Sequence, residues 1–218
     1  MVKASDIEQR VRALLLDAGA IVRLPEADLL AWLNEALEVL ATQHPLAVVR
    51  DVTCETVQRD ECLHLFMEMQ ALDGMDGTAG ILHLVDIPEA PEVSANLMDR
   101  EDRGWRTRTT DTEAPLVNWA RYSDSRDGFY SYPALPANTA VTLRLAWRPA
   151  TFDSMAQVNA ALDERLTPVL VNYVVYRALR QDADSVANAE LASVYELAYK
   201  TALEELKAEA AARWSILT

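Results

Sequence analysis

The sequence predicts an α+β fold: a four-helix bundle of two N-terminal and two C-terminal helices, with an inserted β-rich domain and an extended C-terminal tail. Three observations predict it. Apolar residues recur at helical spacing near both ends of the 218-residue chain. The middle is β-branched, partly alternating and broken by turn residues. The order is therefore helix, helix, β-block, helix, helix, and bringing the outer four helices together is its simplest packing. The expected divisions are 1–46 (bundle, first part), 47–150 (β-rich insertion), 151–206 (bundle, second part) and 207–218 (docking tail).

The first helix is SDIEQRVRALLLDAG. Ser5 is placed to cap it, and Glu8 three residues later completes a capping box. Ile7, Val11, Leu14 and Leu15 share a face, and Gly19 is a stop. The second is LPEADLLAWLNEALEVLATQHP. Pro25 suits a first turn, and Glu26 and Asp28 suit the positive end of the helix. Leu29, Leu33, Ala36, Leu37 and Leu40 recur at helical spacing, and His44-Pro45 closes the run.

From about residue 47 the pattern changes. AVVRDVTCETVQ is strand-like, and CLHLFMEM is its candidate antiparallel partner. ALDGMDGTAG, with three Gly and two Asp (Asp73, Asp76), marks a mobile loop. ILHLVDIPEAPEV is a strand running into Pro-rich coil. PLVNWARYS, DGFYSYPAL and TAVTLRLAWRPA are short strands, the last with the cleanest period-two pattern in the chain.

FDSMAQVNAALDERL reads as a connector with a short turn of helix. Thr167-Pro168 is an N-cap and first-turn pair. LVNYVVYRALRQDAD follows, apolar on almost every side until it meets polar and acidic residues. A central helix flanked by neighbours can be apolar nearly all round, and Tyr173 and Tyr176 keep hydroxyls for partners. Asp184 or Ser185 caps the last helix, whose expected stripe is Leu191, Val194, Tyr195, Ala198, Ala202 and Leu206. Beyond it the helix is expected to fray through KAEAAARW into RWSILT.

Composition excludes several classes. Half the residues are apolar, enough for a core. No apolar run reaches the roughly 20 residues of a membrane helix, and MVKASDIEQRV lacks the apolar stretch of a signal peptide. Folding in a cytoplasm is expected, with Cys54 and Cys62 as reduced thiols. A net charge of −14 argues against gripping nucleic acid through its phosphates, though it suits a wall that DNA slides past.

Signatures of catalysis are missing: no G-x-S-x-G, P-loop, G-x-G-x-x-G, H-E-x-x-H or paired C-x-x-C occurs. Cys62, His64 and His83 offer metal-ligand chemistry without an evident fourth ligand. The DGMDG loop lacks the ligand ladder of a calcium site. Glu204 and Glu205, and Asp99, Glu101 and Asp102, read as solvated faces. No enzyme, cofactor or metal is expected. The one basic patch, Arg100, Arg103, Arg106 and Arg108 around Trp105, reads as a mixed-charge surface loop or as an electrostatic contact with an acidic neighbouring subunit. At the other end, Arg213, Trp214, Ile216 and Leu217 form an apolar tail. It either folds back or anchors in another protein, a role that Trp and Arg suit.

ADLLAWLNEALEVLATQHP, LPANTAVTLRLAWRPA and LDERLTPVLVNYVVYRALRQDADSVANAELASVYELAYKTALEEL, in that order, resemble the head-to-tail adaptor proteins of short-tailed bacteriophages. The marks are Trp32, Leu33, Asn34, Glu35 and Ala36; then Asn172, Tyr173, Tyr176, Arg177 and Ala178; then Asp182, Asp184 and Asn188. Residues 70 to 130 match nothing in that pattern. The resemblance implies a structural virion protein at the head-tail junction, assembled in the host cytoplasm. It implies a ring of this chain, twelve copies by analogy, beneath the portal protein. A tail nozzle or tube binds its lower face, and packaged DNA passes through without specific binding. Arg213, Trp214, Ile216 and Leu217 would then dock on the portal. Asp73, Asp76, Arg103, Trp105, Arg106, Arg108, Arg177 and Arg180 would meet neighbouring subunits or the tail. Removing residues after about 207 should leave the bundle folded and abolish docking. The alternatives are a tail-completion or stopper ring, a metal-dependent enzyme using Cys62, His64 and His83, and a helical regulator of a host protein.

Overall fold

The computed structural model describes residues 1–17, 23–55, 57–60, 63–65, 75–85, 90–101, 105, 116–122, 128–136, 139–159, 162–181 and 185–214. In chain order the elements are β1 (Val2–Lys3), α1 (Ala4–Leu14), α2 (Glu26–Gln43), β2 (Val49–Glu55), β3 (Val57–Asp60), β4 (Leu63–Leu65), β5 (Met75–Leu84), α3 (Ala95–Glu101), β6 (Asn118–Arg121), β7 (Gly128–Tyr132), β8 (Ala140–Pro149), β9 (Val158–Asn159), α4 (Thr167–Gln181) and α5 (Val186–Trp214). The chain is mixed helix and strand. It divides into two compact units: Met1–Val48 with Asp73–Asp76 and Arg148–Thr218, and Val49–Leu72 with Gly77–Trp147.

In the first unit β1 pairs antiparallel with β9, Val2 opposite Asn159 and Lys3 opposite Val158. That pairing sets where α1 begins. Lys3 is held extended at the N-cap position with no side-chain cap, and the Ala4 N–H donates to the Gln157 carbonyl at 3.2 Å. A backbone partner thus satisfies one of the helix's first donors, and Ser5, expected to cap the helix, lies inside its first turn instead. Glu8 accepts from Arg12 instead of closing a capping box, at 2.8 Å. Ile7 and Val11 are buried, but Leu14 is exposed and Leu15 only half-buried, because the helix stops at Leu14. Gly19 lies outside the described residues.

Helix α2 matches its signals. Pro25 stands at the N-cap position, Glu26 and Asp28 occupy the first turn, and His44 ends the helix before a 3-10 turn at Pro45–Val48. Leu29, Leu33, Ala36, Leu37 and Leu40 are all buried. Asn34 fastens the helix to the later chain in both directions. Its amide donates to the Phe152 carbonyl at 2.9 Å and accepts from the Phe152 N–H at 2.8 Å.

A 3-10 turn at Glu164–Leu166, capped by the Asp163 carboxylate accepting from the Arg165 N–H, leads into α4. Thr167 is already helical rather than the cap: it closes the 3-10 turn, its N–H bonded to the Glu164 carbonyl, and opens α4 directly. Helix α4 packs against α5, α2 and α1. Val169, Leu170, Val171, Tyr173, Val174, Val175, Ala178 and Leu179 are buried, which accounts for its apolar character on almost every side.

Helix α5 differs from expectation in face and in length. Its buried residues are Ala192, Tyr199 and Leu203, while Leu191 and Val194 are exposed and Tyr195, Ala198, Ala202 and Leu206 are half-buried. Tyr199 meets the Tyr173 ring edge-on at 5.2 Å, and that contact selects the buried face. The helix continues through Trp214 instead of fraying after Leu206, and Glu209 accepts from Arg165 at 3.2 Å.

The second unit carries a three-stranded sheet of order β2-β8-β5 and a four-stranded sheet of order β3-β4-β7-β6. The antiparallel match of CLHLFMEM to the preceding strand run holds for β3 and β4, but β2 pairs with β8 instead. Arg144 grips Asp51 directly across that register with bonds of 2.9 and 3.1 Å. In β8 the inward positions Val141, Leu143 and Leu145 are buried, as the alternation predicts. Strand β5 begins at Met75, inside the stretch expected to be a loop. Pairing with β8 supplies its backbone partners and overrides the weak strand preference of Gly77 and Gly80.

Candidate docking surfaces

The basic patch does not place Trp105 at the surface. Trp105 is fully buried with Met98 and Ala120, packs edge-on against Tyr130 at 5.3 Å, and donates its indole N–H to Asp99 at 2.9 Å. Its large apolar surface outweighs the charge of its sequence neighbours. A direct contact by Trp105 is therefore corrected: it is an anchor inside its unit. Asp99 is the acceptor for that indole, while Glu101 is exposed on α3. Arg103, Arg106, Arg108, Asp102 and Asp73 lie outside the described residues. Asp76 is in β5.

Among the metal candidates, Cys62 lies outside the described residues, and His64 and His83 belong to strands of different sheets. Among the described residues no group of three or more His, Cys, Asp or Glu side chains converges to hold a metal. Nor is any described helix long and apolar enough to cross a membrane.

The clearest polar constellation is where α2, α4 and α5 meet. Glu35 accepts from the Tyr173 hydroxyl at 3.0 Å with one oxygen and pairs with Arg177 at 3.0 Å with the other. Arg177, expected to be left for neighbours, is thus already tied within its own unit. One turn on, Arg180 lies 5.7 Å from the Tyr176 ring centre and donates to its hydroxyl at 3.0 Å. Arg180 is exposed, and no carboxylate pairs with it among the described residues. Lys200 and Glu196 pair at 2.7 Å. The tail residues Arg213 and Trp214 end α5, and Ile216 and Leu217 lie outside the described residues. Glu204 pairs with Lys207 in solvent and Glu205 is exposed, as read.

Titration follows from these contacts. Burial pushes the Tyr173 hydroxyl well above the usual phenol value, and its bond to Glu35 adds to the shift. Burial pushes Tyr199 up as well, and its hydroxyl has no partner among the described residues. The bond to Tyr176 raises Arg180, and the bond to Glu196 raises Lys200. At neutral pH the phenols are protonated and the cations charged, a state suited to hydrogen bonding and ion pairing.

Glu35→Ala is expected to lower stability by about 1 kcal/mol in urea unfolding, and Glu35→Gln by less because it keeps an acceptor for Tyr173. The figure is small because both ends of the Glu35–Arg177 pair are 37% exposed and screened by solvent. A loss above about 3 kcal/mol would show that the network is a structural core.

A model of the family described as SU10 adaptor protein matches residues 2–217. No curated protein matches the sequence.

Proposed function

The chain belongs to the SU10 adaptor protein family, a structural phage protein and a virion component, and from that premise we propose that it is a head-to-tail adaptor. In this reading many copies form a ring beneath the portal protein. The ring receives the tail nozzle or tube and surrounds the channel through which DNA passes. The helices of the first unit form a four-helix bundle, and the β-rich unit is its insertion. The observation that carries the reading is the extent of the family match, which takes in both helical ends and the β-rich middle. The acidic composition supports a channel wall that repels phosphate.

Helix α5 presents its end for docking. Because it runs through Trp214 and is tied at Glu209, the docking segment is shorter than a tail starting at 207. Arg213, Trp214, Ile216 and Leu217 are its contact residues. Arg180, with Arg103, Arg106, Arg108, Asp73 and Asp76, is assigned to neighbours or the tail; Arg177 contributes while holding Glu35.

Removing residues 215–218 is expected to leave helical circular dichroism and the melting temperature unchanged and to abolish portal binding. Trp214→Ala is expected to weaken binding by about 2 kcal/mol, roughly 30-fold. The deciding experiment mixes the purified chain with portal rings of the same phage and images the product by electron microscopy. A second ring stacked on the portal supports the adaptor role. Portal rings unchanged beside free chain would instead favour a tail-completion or stopper role.

A further inference from the structure

We draw no further inference here: the strongest candidate, the apolar cleft that Leu14, Leu16 and Leu191 line between the end of α1 and the first half of α5, is an exposed face for which nothing in the structure shows what covers it.

Discussion

Leu170→Ala is expected to destabilise the helical unit by about 3 kcal/mol, within the range for deleting a buried leucine side chain. Leu170 is wholly buried in α4, and α4 is the common neighbour of α1, α2 and α5. Neighbours on several sides resist collapse into the space left behind, so a cavity penalty adds to the lost burial. The loss should be read by circular dichroism at 222 nm during urea unfolding. The four helices of eleven or more residues all lie in the first unit, so this signal follows that unit. With a slope near 2 kcal/mol per molar, the midpoint should fall by about 1.5 M urea. A shift below about 0.3 M would mean that α4 is not the centre of the unit's core.

Asp17→Ala is expected to cost on the order of 3 kcal/mol although it deletes only one small side chain. The Asp17 carboxylate has no exposed surface. It accepts from the Arg23 N–H at 2.8 Å, the Leu24 N–H at 3.2 Å and the Arg12 guanidinium at 2.8 Å. Alanine would leave two backbone donors and part of a guanidinium without their acceptor. The backbone bond from Arg23 is the largest influence holding Asp17 below the ordinary aspartate value of 3.8, with further help from Leu24, Arg12 and Arg23 charge against the opposing cost of burial. The sign follows. The folded value is depressed, so the stabilisation is fully present above 3.8 and is lost as pH falls through the folded value. Wild type and Asp17→Ala should therefore differ most in melting temperature near neutrality and converge in acid. A gap that stays constant down to pH 2 would contradict this account.

Local signals made α2 legible. Pro25, Glu26 and Asp28 mark its start, His44-Pro45 marks its end, and a single stripe of leucines points inward. Helix α4 was legible because only a central position explains residues apolar on nearly every side. In α5 several faces are about equally apolar, because alanines are spread around it. The choice between faces is made by Tyr173 on another helix, which no pattern within α5 records. Long-range pairing was equally hidden: Asp51 and Arg144 are 93 residues apart. In the candidate site, Arg177 and Arg180 were recognisable as available cations. That Glu35 already holds Arg177 was not, because the two residues come from different ends of the chain. Trp105 misled because its neighbours are charged, whereas its indole needed only one of them, Asp99.

The unbroken run of α5 from Val186 to Trp214 makes it both a ruler and a compass for whatever follows it. Its last ion pair among the described residues joins Glu209 to Arg165, so the final turn projects from a fixed bearing. Each residue added between Glu209 and Trp214 would advance the end by about 1.5 Å and swing its azimuth by about 100°. One extra residue would thus misdirect the segment while barely lengthening it. Seven would lengthen it by about 10 Å and return it to within about 20° of its first heading. Distance and direction are therefore written into one helix as two separable quantities, both set by the number of residues in its last turns.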